Sequence, residues 1–236
     1  MLRGSLPLQC CRAMLLYYIT DRKQFPGAES ARRSALLAKV QECARAGVDH
    51  IQLREKDLSA RQLEELAKAV VAEVRAAGRG TKLLINSRMD IAIVCGADGV
   101  HLRSGDEDPN PGDARAIFAS AGVSSPIIAA SCHSEKEVAL AESHGADFVV
   151  FGPVFEKSGV PGGGLQELRR ICAKVSIGDE KTEAVARARL PVLALGGVTL
   201  ENAGECVRAG AAGIAGIRLF QQYEVTRVVS KLRALK

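Results

Sequence analysis

The chain contains 236 residues, of which 47% are hydrophobic and only 4% aromatic, and it carries a formal net charge of +5. This length suits a single α/β barrel whose core is filled by Ala, Val, Leu and Ile, as in a parallel sheet covered by helices. The basic residues are scattered without interleaved aromatics, and no apolar run reaches the ~18 residues of a membrane-spanning helix, so neither a nucleic-acid partner nor membrane insertion is expected.

The start of the chain and the cysteines bear on the cellular compartment. Residues 1–13 are basic, and their apolar stretch is too short for the core of a signal peptide. We expect them to form a flexible extension ahead of one domain over residues 14–236. The seven cysteines are odd in number and lack the spacing of a zinc site, which favours a reducing, cytoplasmic environment without a disulfide framework.

The first half of the chain alternates short apolar runs with segments of helical periodicity. Residues 29–46 repeat apolar side chains at helical spacing and stop at Gly47, a typical helix C-cap. Ser59 is the predicted N-cap of the next helix, which ends before Gly78. Strands are predicted over residues 14–20, 48–53, 82–86 and 99–102, and helices over residues 29–46, 60–77 and 89–95.

The second half of the chain continues this alternation. A charged, proline-rich loop over residues 103–112 precedes a helix predicted to begin at Asp113, and Ser134 is the predicted N-cap of the following helix. Residues 152–164 form a glycine-rich loop, and residues 176–189 are charged and helix-like. Strands are predicted over residues 127–130, 147–151, 192–195 and 213–217, each followed by a helical segment.

An internal repeat supports this count of elements. Gly47, Gly96 and Gly145 each end a helix and precede a strand, and successive members are 49 residues apart, which corresponds to two strand–helix units. Eight strand–helix units with short connections predict a closed parallel barrel, the TIM (β/α)8 fold, in a single domain. The alternative is a doubly wound open sheet.

Two glycine-containing loops follow the last two predicted strands. Gly196 and Gly197 follow the seventh strand, and Gly216 and Ile217 end the eighth. Glycine lets a ligand approach the backbone N–H groups closely, and successive free N–H groups bind an anion. The commonest phosphate site of an eight-fold barrel lies in these two loops, so the sequence predicts a phosphate site there.

The second predicted strand ends in three polar side chains at alternate positions. Gln52, Arg54 and Lys56 point to one side of the strand, and Glu55 points to the other. Three donors on one side would suit a phosphate or a diphosphate. The alternative is a structural ion pair between Arg54 and a carboxylate on a neighbouring strand.

Ser131 and His133 alternate in the same way at the end of the fifth predicted strand. A histidine at this position can accept and return a proton near neutral pH, which favours acid/base catalysis. The alternative is a structural histidine. His101 lies inside the fourth predicted strand, where a structural role is expected.

The loop after the fourth predicted strand is rich in carboxylates. Asp106, Glu107, Asp108 and Asp113 lie close together in sequence. Mg²⁺ is commonly held by one or two carboxylates together with substrate phosphates, so this loop is a candidate metal site. A solvated acidic loop is the alternative.

Seven short motifs occur in a fixed order along the chain. They are Tyr18-Ile-Thr-Asp21, Gln52-Leu-Arg-Glu-Lys56, Gly99-Val-His-Leu102, Ser131-Cys-His133, Ala146-Asp-Phe-Val-Val-Phe-Gly-Pro-Val-Phe155, Leu195-Gly-Gly197 and Gly213-Ile-Ala-Gly-Ile217. Together they resemble the thiamine phosphate synthase/TenI family over about residues 14–220. The resemblance implies a TIM barrel that binds a small phosphorylated thiazole, with its phosphate on the two glycine-containing loops.

The family contains two activities, and the chain departs from the synthase pattern at two places. Synthases carry Asn-Asp after the third strand, where the Asp binds Mg²⁺, but this chain has Asn86-Ser87. The diphosphate-binding Thr-x-Thr-Lys loop of synthases is replaced by residues 156–164. Asn86-Ser87-Arg88 instead resembles the Asn-Gly-Arg of TenI-type proteins, whereas Lys56 and Asp106 match synthase positions.

These departures favour a TenI-like thiazole tautomerase that needs no cofactor. In this hypothesis His133 moves the proton that aromatises the thiazole carboxylate phosphate tautomer. The alternatives are a thiamine-phosphate synthase with Mg²⁺ on Asp106 and a non-catalytic sensor of a phosphorylated ligand. The sequence does not decide between a monomer and a homodimer. The predicted substrate-binding residues are Gln52, Arg54, Lys56, Asn86, Ser131, Gly152, Gly196, Gly197, Gly216 and Ile217.

Overall fold

The computed structural model describes residues 14–156, 164–176 and 190–235. Two predictions, the extension over residues 1–13 and the helix-like segment beyond residue 176, lie outside these ranges. The departure from the synthase pattern at residues 156–164 also lies largely outside them, because residues 157–163 are not described.

Eight strands alternate with helices along the described chain, and each strand lies within two residues of its predicted bounds. The strands are β1 (Leu15–Ile19), β2 (His50–Leu53), β3 (Lys82–Asn86), β4 (Gly99–Leu102), β5 (Ile127–Cys132), β6 (Phe148–Phe151), β7 (Val192–Ala194) and β8 (Gly213–Gly216). The helices are α1 (Glu29–Ala46), α2 (Ala60–Ala77), α3 (Met89–Cys95), α4 (Pro111–Ser120), α5 (Glu135–Ser143), α6 (Gly164–Ser176), α7 (Ala203–Arg208), α8 (Arg218–Gln221) and α9 (Val225–Arg233).

The strands form a closed parallel barrel in sequence order. Closure is made by β1 and β8, which pair from Leu15 with Gly213 to Tyr18 with Gly216. The predicted TIM barrel is confirmed, and the open-sheet alternative is wrong. Because all eight strands run in one direction, their carboxyl ends meet at one end of the barrel, which is called the mouth below.

Local capping signals explain where several helices begin and end. Ser59 and Gln62 form a reciprocal capping box at the start of α2, and Gly47 ends α1 with a φ of 85°. The predicted start of α4 at Asp113 is wrong, because the helix begins at Pro111 with Asn110 as its N-cap. A proline at the first helical position lacks the N–H that would be unpaired there.

The core has two layers separated by the strands. One layer packs the strands against the surrounding helices, and the other fills the barrel interior. The interior layer contains Tyr17 and Phe148, whose rings meet edge to face at 5.3 Å. It also contains two buried polar residues, Gln52 and His101, which lie beneath the mouth. No helix in the described ranges is long and apolar enough to cross a membrane.

Candidate active site

A cavity of about 510 Å³ opens at the mouth beside the ends of β7, β8 and β1. The structure brings together at this cavity five residues that the sequence predicts as ligand-binding, namely Arg54, Gly196, Gly197, Gly216 and Ile217. The two glycine-containing loops therefore share one opening, as a phosphate site in a barrel of this type requires.

The loop after β7 needs glycine for conformational and steric reasons. Gly196 and Gly197 have φ values of 94° and 66°, which side chains rarely adopt. A Cβ on Gly197 would also lie 2.7 Å from the Cβ of Phe155. The backbone N–H groups of Gly196, Gly197 and Val198 donate to no acceptor within the described residues, so they form an open set of donors for an anion.

The loop after β8 supplies further donors. Ile217 precedes the short helix α8, whose first N–H groups have no acceptor one turn earlier in the helix. Arg218 begins α8 and lines the same cavity, as do the carboxylates of Asp21 and Glu156. Neither of these carboxylates forms an ion pair with Arg54 or Arg218 within the described residues. Directed N–H groups and the two guanidinium groups are thus both available to a phosphate in this cavity.

The end of β2 presents two cations to the mouth. Glu55, between them in sequence, is buried and accepts hydrogen bonds from Thr20 Oγ1 at 2.7 Å and Arg22 Nη1 at 3.0 Å. Arg54 is fixed through its backbone N–H, which donates to Thr20 Oγ1 at 2.9 Å. Neither Arg54 nor Lys56 forms an ion pair within the described part of the chain, so the predicted structural alternative for Arg54 is not observed there.

The charge of Lys56 is disfavoured by its surroundings. The Arg54 guanidinium, burial and the Arg103 guanidinium, in that order, hold the pKa of Lys56 below its usual value. A surplus of positive charge at one point is relieved when an anion binds. This is the electrostatic property expected of a site for a phosphate or diphosphate.

Beneath the mouth, four polar side chains are joined by hydrogen bonds. Gln52 Nε2 donates to Tyr17 Oη, which lies 3.1 Å from His101 Nδ1, and His101 Nε2 lies 2.8 Å from Ser131 Oγ. Gln52 is only 1% exposed, so it lies in the interior and not in the lining of the cavity. Burial lowers the pKa of His101 to about 3, assisted by the Arg54 charge.

A second cavity of about 300 Å³ lies beside the ends of β4 and β5 and is lined by Ser131, Asp106 and Asp108. Asp108 is engaged on both oxygens, because Arg103 Nη2 donates to Oδ1 at 2.9 Å and Ser87 Oγ donates to Oδ2 at 2.7 Å. Burial alone would raise the pKa of Asp108, but these bonds outweigh it and keep the pKa below its usual value. Ser87 itself has a φ of 60°, which is rare for a residue with a side chain.

The carboxylates of this loop can offer Mg²⁺ one open ligand. Asp106 is exposed and forms no ion pair within the described residues, whereas Glu107 and Asp108 both pair with Arg103. No three His, Cys, Asp or Glu side chains of the described ranges come together as a metal site. One carboxylate completed by substrate phosphates is nevertheless a common way to hold Mg²⁺, so Asp106 fits such a site.

The remaining predicted residues lie on the rim of the mouth. The imidazole of His133 is exposed, and its Nδ1 is hydrogen-bonded to the carbonyl of Gly152. Because a carbonyl only accepts, Nδ1 carries the proton of the neutral imidazole, and in that form Nε2 has a free lone pair. Asn86 donates to Ser87 Oγ at 3.1 Å. Lys56, Asn86, His133 and Gly152 line neither cavity.

Several residues of the site were not singled out by their sequence pattern. Tyr17 lies within an apolar strand, and the pairing of Arg103 with Asp108 cannot be distinguished from a solvated acidic loop. Arg218 was expected at the active-site face because it follows the eighth strand, but the sequence assigned it no role.

The fold and the mouth define a TIM barrel whose open backbone donors and uncompensated cations suit phosphorylated ligands. The chain belongs to the thiamine monophosphate synthase family, whose sequence model matches residues 16–220. This confirms the family resemblance of the seven motifs.

Named relatives agree with this assignment. The thiamine-phosphate synthase of Chlorobium luteolum is 40% identical over 204 residues, which cover 86% of this chain and 83% of that protein. The thiamine-phosphate synthase of Methanoculleus marisnigri is 35% identical, with 92% of this chain and 93% of that protein covered. The thiamine phosphate pyrophosphorylase structure from Pyrococcus furiosus superposes with a TM-score of 0.73 at 29% identity and covers 95% of this chain and 96% of its own.

Proposed function

We propose that the chain is a thiamine-phosphate synthase, which joins hydroxymethylpyrimidine diphosphate to thiazole phosphate. The observation that carries this proposal is the presence of two separate anion-binding features at one mouth. The glycine-containing loops offer backbone donors, and the end of β2 offers the unpaired cations Arg54 and Lys56. A reaction between two phosphorylated substrates needs two such features, whereas the tautomerase reaction involves a single phosphorylated substrate.

The glycine-containing loops bind the thiazole phosphate in this proposal. Gly196, Gly197 and Val198 have N–H groups without an acceptor in the described residues, and the first turn of α8 adds further donors. A substrate held by its phosphate is positioned for reaction at a defined distance from β2, because both loops are fixed to strand ends.

Arg54 and Lys56 neutralise the diphosphate leaving group. The ring nitrogen of the thiazole forms a bond to the pyrimidine methylene carbon, and the bond from that carbon to the diphosphate oxygen breaks. The electron pair of the broken bond leaves with the diphosphate. Cations placed where this charge develops lower the barrier. Inorganic diphosphate and thiamine phosphate are the products.

Mg²⁺ is the cofactor that this reaction implies, and Asp106 is the residue that would hold it together with the diphosphate. Bound Mg²⁺ supplies further neutralisation of negative charge on the leaving group. Asp108 does not serve as a second ligand in the observed arrangement, because Arg103 and Ser87 occupy its oxygens.

A thiazole tautomerase is the second candidate, and the geometry of His133 favours it. The Nδ1–H group of His133 is held by the Gly152 carbonyl, which leaves Nε2 available as a base. Ser131 and Arg54 would position the single substrate. The names of the relatives support the synthase better than this first hypothesis from the sequence.

One set of assays separates the candidates. Purified protein receives hydroxymethylpyrimidine diphosphate and thiazole phosphate with Mg²⁺, and in parallel the thiazole carboxylate phosphate tautomer. We expect thiamine phosphate in the first assay. Aromatisation in the second assay alone would overturn the synthase proposal. Binding of thiazole phosphate without turnover in either assay would support the non-catalytic sensor.

His133 is tested in the same assays. A His133→Asn variant loses tautomerase activity if His133 is the base of that reaction. Full tautomerase activity in the variant would contradict the second candidate as described.

A further inference from the structure

The barrel interior contains a continuous chain of four polar side chains that ends at the mouth. Gln52 Nε2 donates to Tyr17 Oη at 3.1 Å, and Tyr17 Oη lies 3.1 Å from His101 Nδ1. His101 Nε2 lies 2.8 Å from Ser131 Oγ. Gln52, Tyr17 and His101 are at most 2% exposed, whereas Ser131 is half-buried and lines the second cavity.

One direction satisfies every buried donor of these four side chains. The amide nitrogen of Gln52 only donates, so Tyr17 Oη accepts from it, and the buried Tyr17 proton then has one acceptor within the described residues, His101 Nδ1. A neutral imidazole carries one proton, which must then lie on Nε2. His101 Nε2–H therefore donates to Ser131 Oγ.

His101 is neutral because of its position. Burial and the nearby Arg54 charge both disfavour the imidazolium form and lower its pKa to about 3. In a neutral imidazole one nitrogen donates and the other accepts. Which nitrogen of His101 donates is therefore decided by the hydrogen bond that the other nitrogen accepts. Tyr17 donates that hydrogen bond.

We infer that Tyr17 and His101 are positioning residues that orient the hydroxyl of Ser131, so that its proton points into the site as a hydrogen-bond donor to the substrate. Ser131 Oγ accepts from His101, which leaves its own O–H without a partner within the described residues. This inference rests on the proposed function only in placing a substrate acceptor at Ser131.

The reverse direction would give Ser131 the opposite role. If His101 carried its proton on Nδ1, that proton would go to Tyr17 Oη, and Ser131 would donate to His101 Nε2. Ser131 would then present only lone pairs to the substrate. The tautomer of His101 in the free protein therefore distinguishes the two arrangements without any assay of activity.

The first test is nuclear magnetic resonance of the full chain labelled with ¹⁵N-histidine. The chain has four histidines, and the His101 signals are those lost in a His101→Asn variant. We expect the protonated nitrogen to be Nε2 and the unprotonated one to be Nδ1 across neutral pH. Protonation at Nδ1, or an imidazolium at neutral pH, would overturn the inference.

The second test compares two tyrosine-to-phenylalanine variants in the same strand. Tyr17→Phe removes the hydroxyl that sets the direction of the hydrogen bonds from Gln52 to Ser131. Tyr18→Phe removes a buried hydroxyl that has no hydrogen-bond partner within the described residues. We expect Tyr17→Phe to lower kcat/KM roughly tenfold and to change the His101 tautomer signals, because one oriented hydrogen bond is lost. The control variant should stay within about twofold of wild type.

The outcomes separate the inference from the proposed function. Equal losses in the two variants, or an unchanged His101 tautomer in Tyr17→Phe, would contradict the positioning role. The Nε2–H tautomer in a protein that forms no thiamine phosphate would contradict the proposed function and leave the direction of the hydrogen bonds intact.

Discussion

The segments that follow β2 and β4 both place an arginine at the mouth, but in opposite electrostatic surroundings. Arg103, after β4, contacts the carboxylates of Glu107 and Asp108. Arg54, after β2, contacts no carboxylate within the described residues, and its charge is the first cause of the lowered pKa of Lys56. A compensated cation stabilises its own loop, whereas an uncompensated one is available to a ligand. The β2 segment is therefore organised for binding an anion.

The alternation of side chains along the β2 segment produces this difference. Glu55 is adjacent to both Arg54 and Lys56 in sequence, but it points to the other side and accepts hydrogen bonds from Thr20 and Arg22. The side chain of Glu55 is 2% exposed and that of Arg22 is 4% exposed. Asp57, which follows Lys56, also pairs with Arg22, at 2.7 Å. Both carboxylates adjacent to the two cations in sequence thus pair with Arg22.

The comparison predicts that removing the buried partner has the largest effect. Arg22→Met should lower the free energy of unfolding by about 3–5 kcal/mol, because the buried carboxylate of Glu55 loses its compensating guanidinium and Asp57 loses the same partner. Urea unfolding of the purified variant measures this change. The matched control is Arg61→Met on α2, where the replaced side chain is 90% exposed and pairs with Glu65. A loss below about 1 kcal/mol in Arg22→Met would contradict the anchoring role.

Arg54 should show the opposite behaviour. Arg54→Met is expected to lower kcat/KM for thiamine phosphate formation about 100-fold, because a charged donor to the diphosphate is lost. Its free energy of unfolding should stay within about 0.5 kcal/mol of wild type, since Arg54 has no partner to leave unpaired. Steady-state kinetics test the loss of kcat/KM, and urea unfolding tests the unchanged stability. Arg61→Met is the control for both measurements. Destabilisation comparable with Arg22→Met would show that Arg54 is structurally compensated.

The barrel and the glycine-containing loops could be predicted because their signals are local. Gly47, Gly96 and Gly145 end helices at a regular interval, and the apolar runs between them give each strand its position. Gly196 and Gly197 were found in the same way, since the conformation that requires glycine belongs to those residues themselves.

Pairings between distant strands could not be predicted in this way. Tyr17 and His101 are 84 residues apart in sequence and meet only because β1 and β4 face one another across the closed barrel. The alternation of Gln52 with Arg54 predicted that the two side chains lie on the same side of the strand. It did not show that Gln52, two residues earlier, lies about 7 Å further from the mouth than Arg54. Gln52 therefore lies in the interior with Tyr17 and outside the lining of the cavity.

Removing Arg103 should make the carboxylate of Asp108, after β4, available to a metal ion. In Arg103→Ala the carboxylate of Asp108 loses its guanidinium partner, so stability should fall by about 1–2 kcal/mol and the affinity for Mn²⁺, a probe for Mg²⁺, should rise about tenfold. Titration calorimetry measures the affinity. Arg88→Ala, which breaks the exposed pair with Asp90, is the control. Unchanged Mn²⁺ affinity would show that Asp108 is closed to metal for another reason.

The same variant should change the acid sensitivity of the protein. The pKa of Asp108 is lowered in the folded state, so its contribution to stability is present above the unfolded value of about 3.9 and is lost as the pH falls through the folded value. Removing Arg103 raises the pKa of Asp108 in the folded state and so narrows the difference between its folded and unfolded pKa values. Unfolding measured between neutral and acid pH should therefore show a weaker dependence on pH in Arg103→Ala than in wild type.

Lys56 should give the smallest effect, a pH dependence of anion binding. Its pKa is lowered first by Arg54, then by burial and by Arg103, and a bound diphosphate raises it again. Binding therefore favours the protonated lysine, and affinity for inorganic diphosphate should fall a few-fold as the pH rises through the lowered pKa. Calorimetric titrations at neutral and alkaline pH measure this decline. In Lys56→Arg the decline should be largely absent, because a guanidinium keeps its charge throughout that range. An equal decline in the variant would assign the pH dependence to another group and would leave Arg54 as the cation that decides anion binding at this segment.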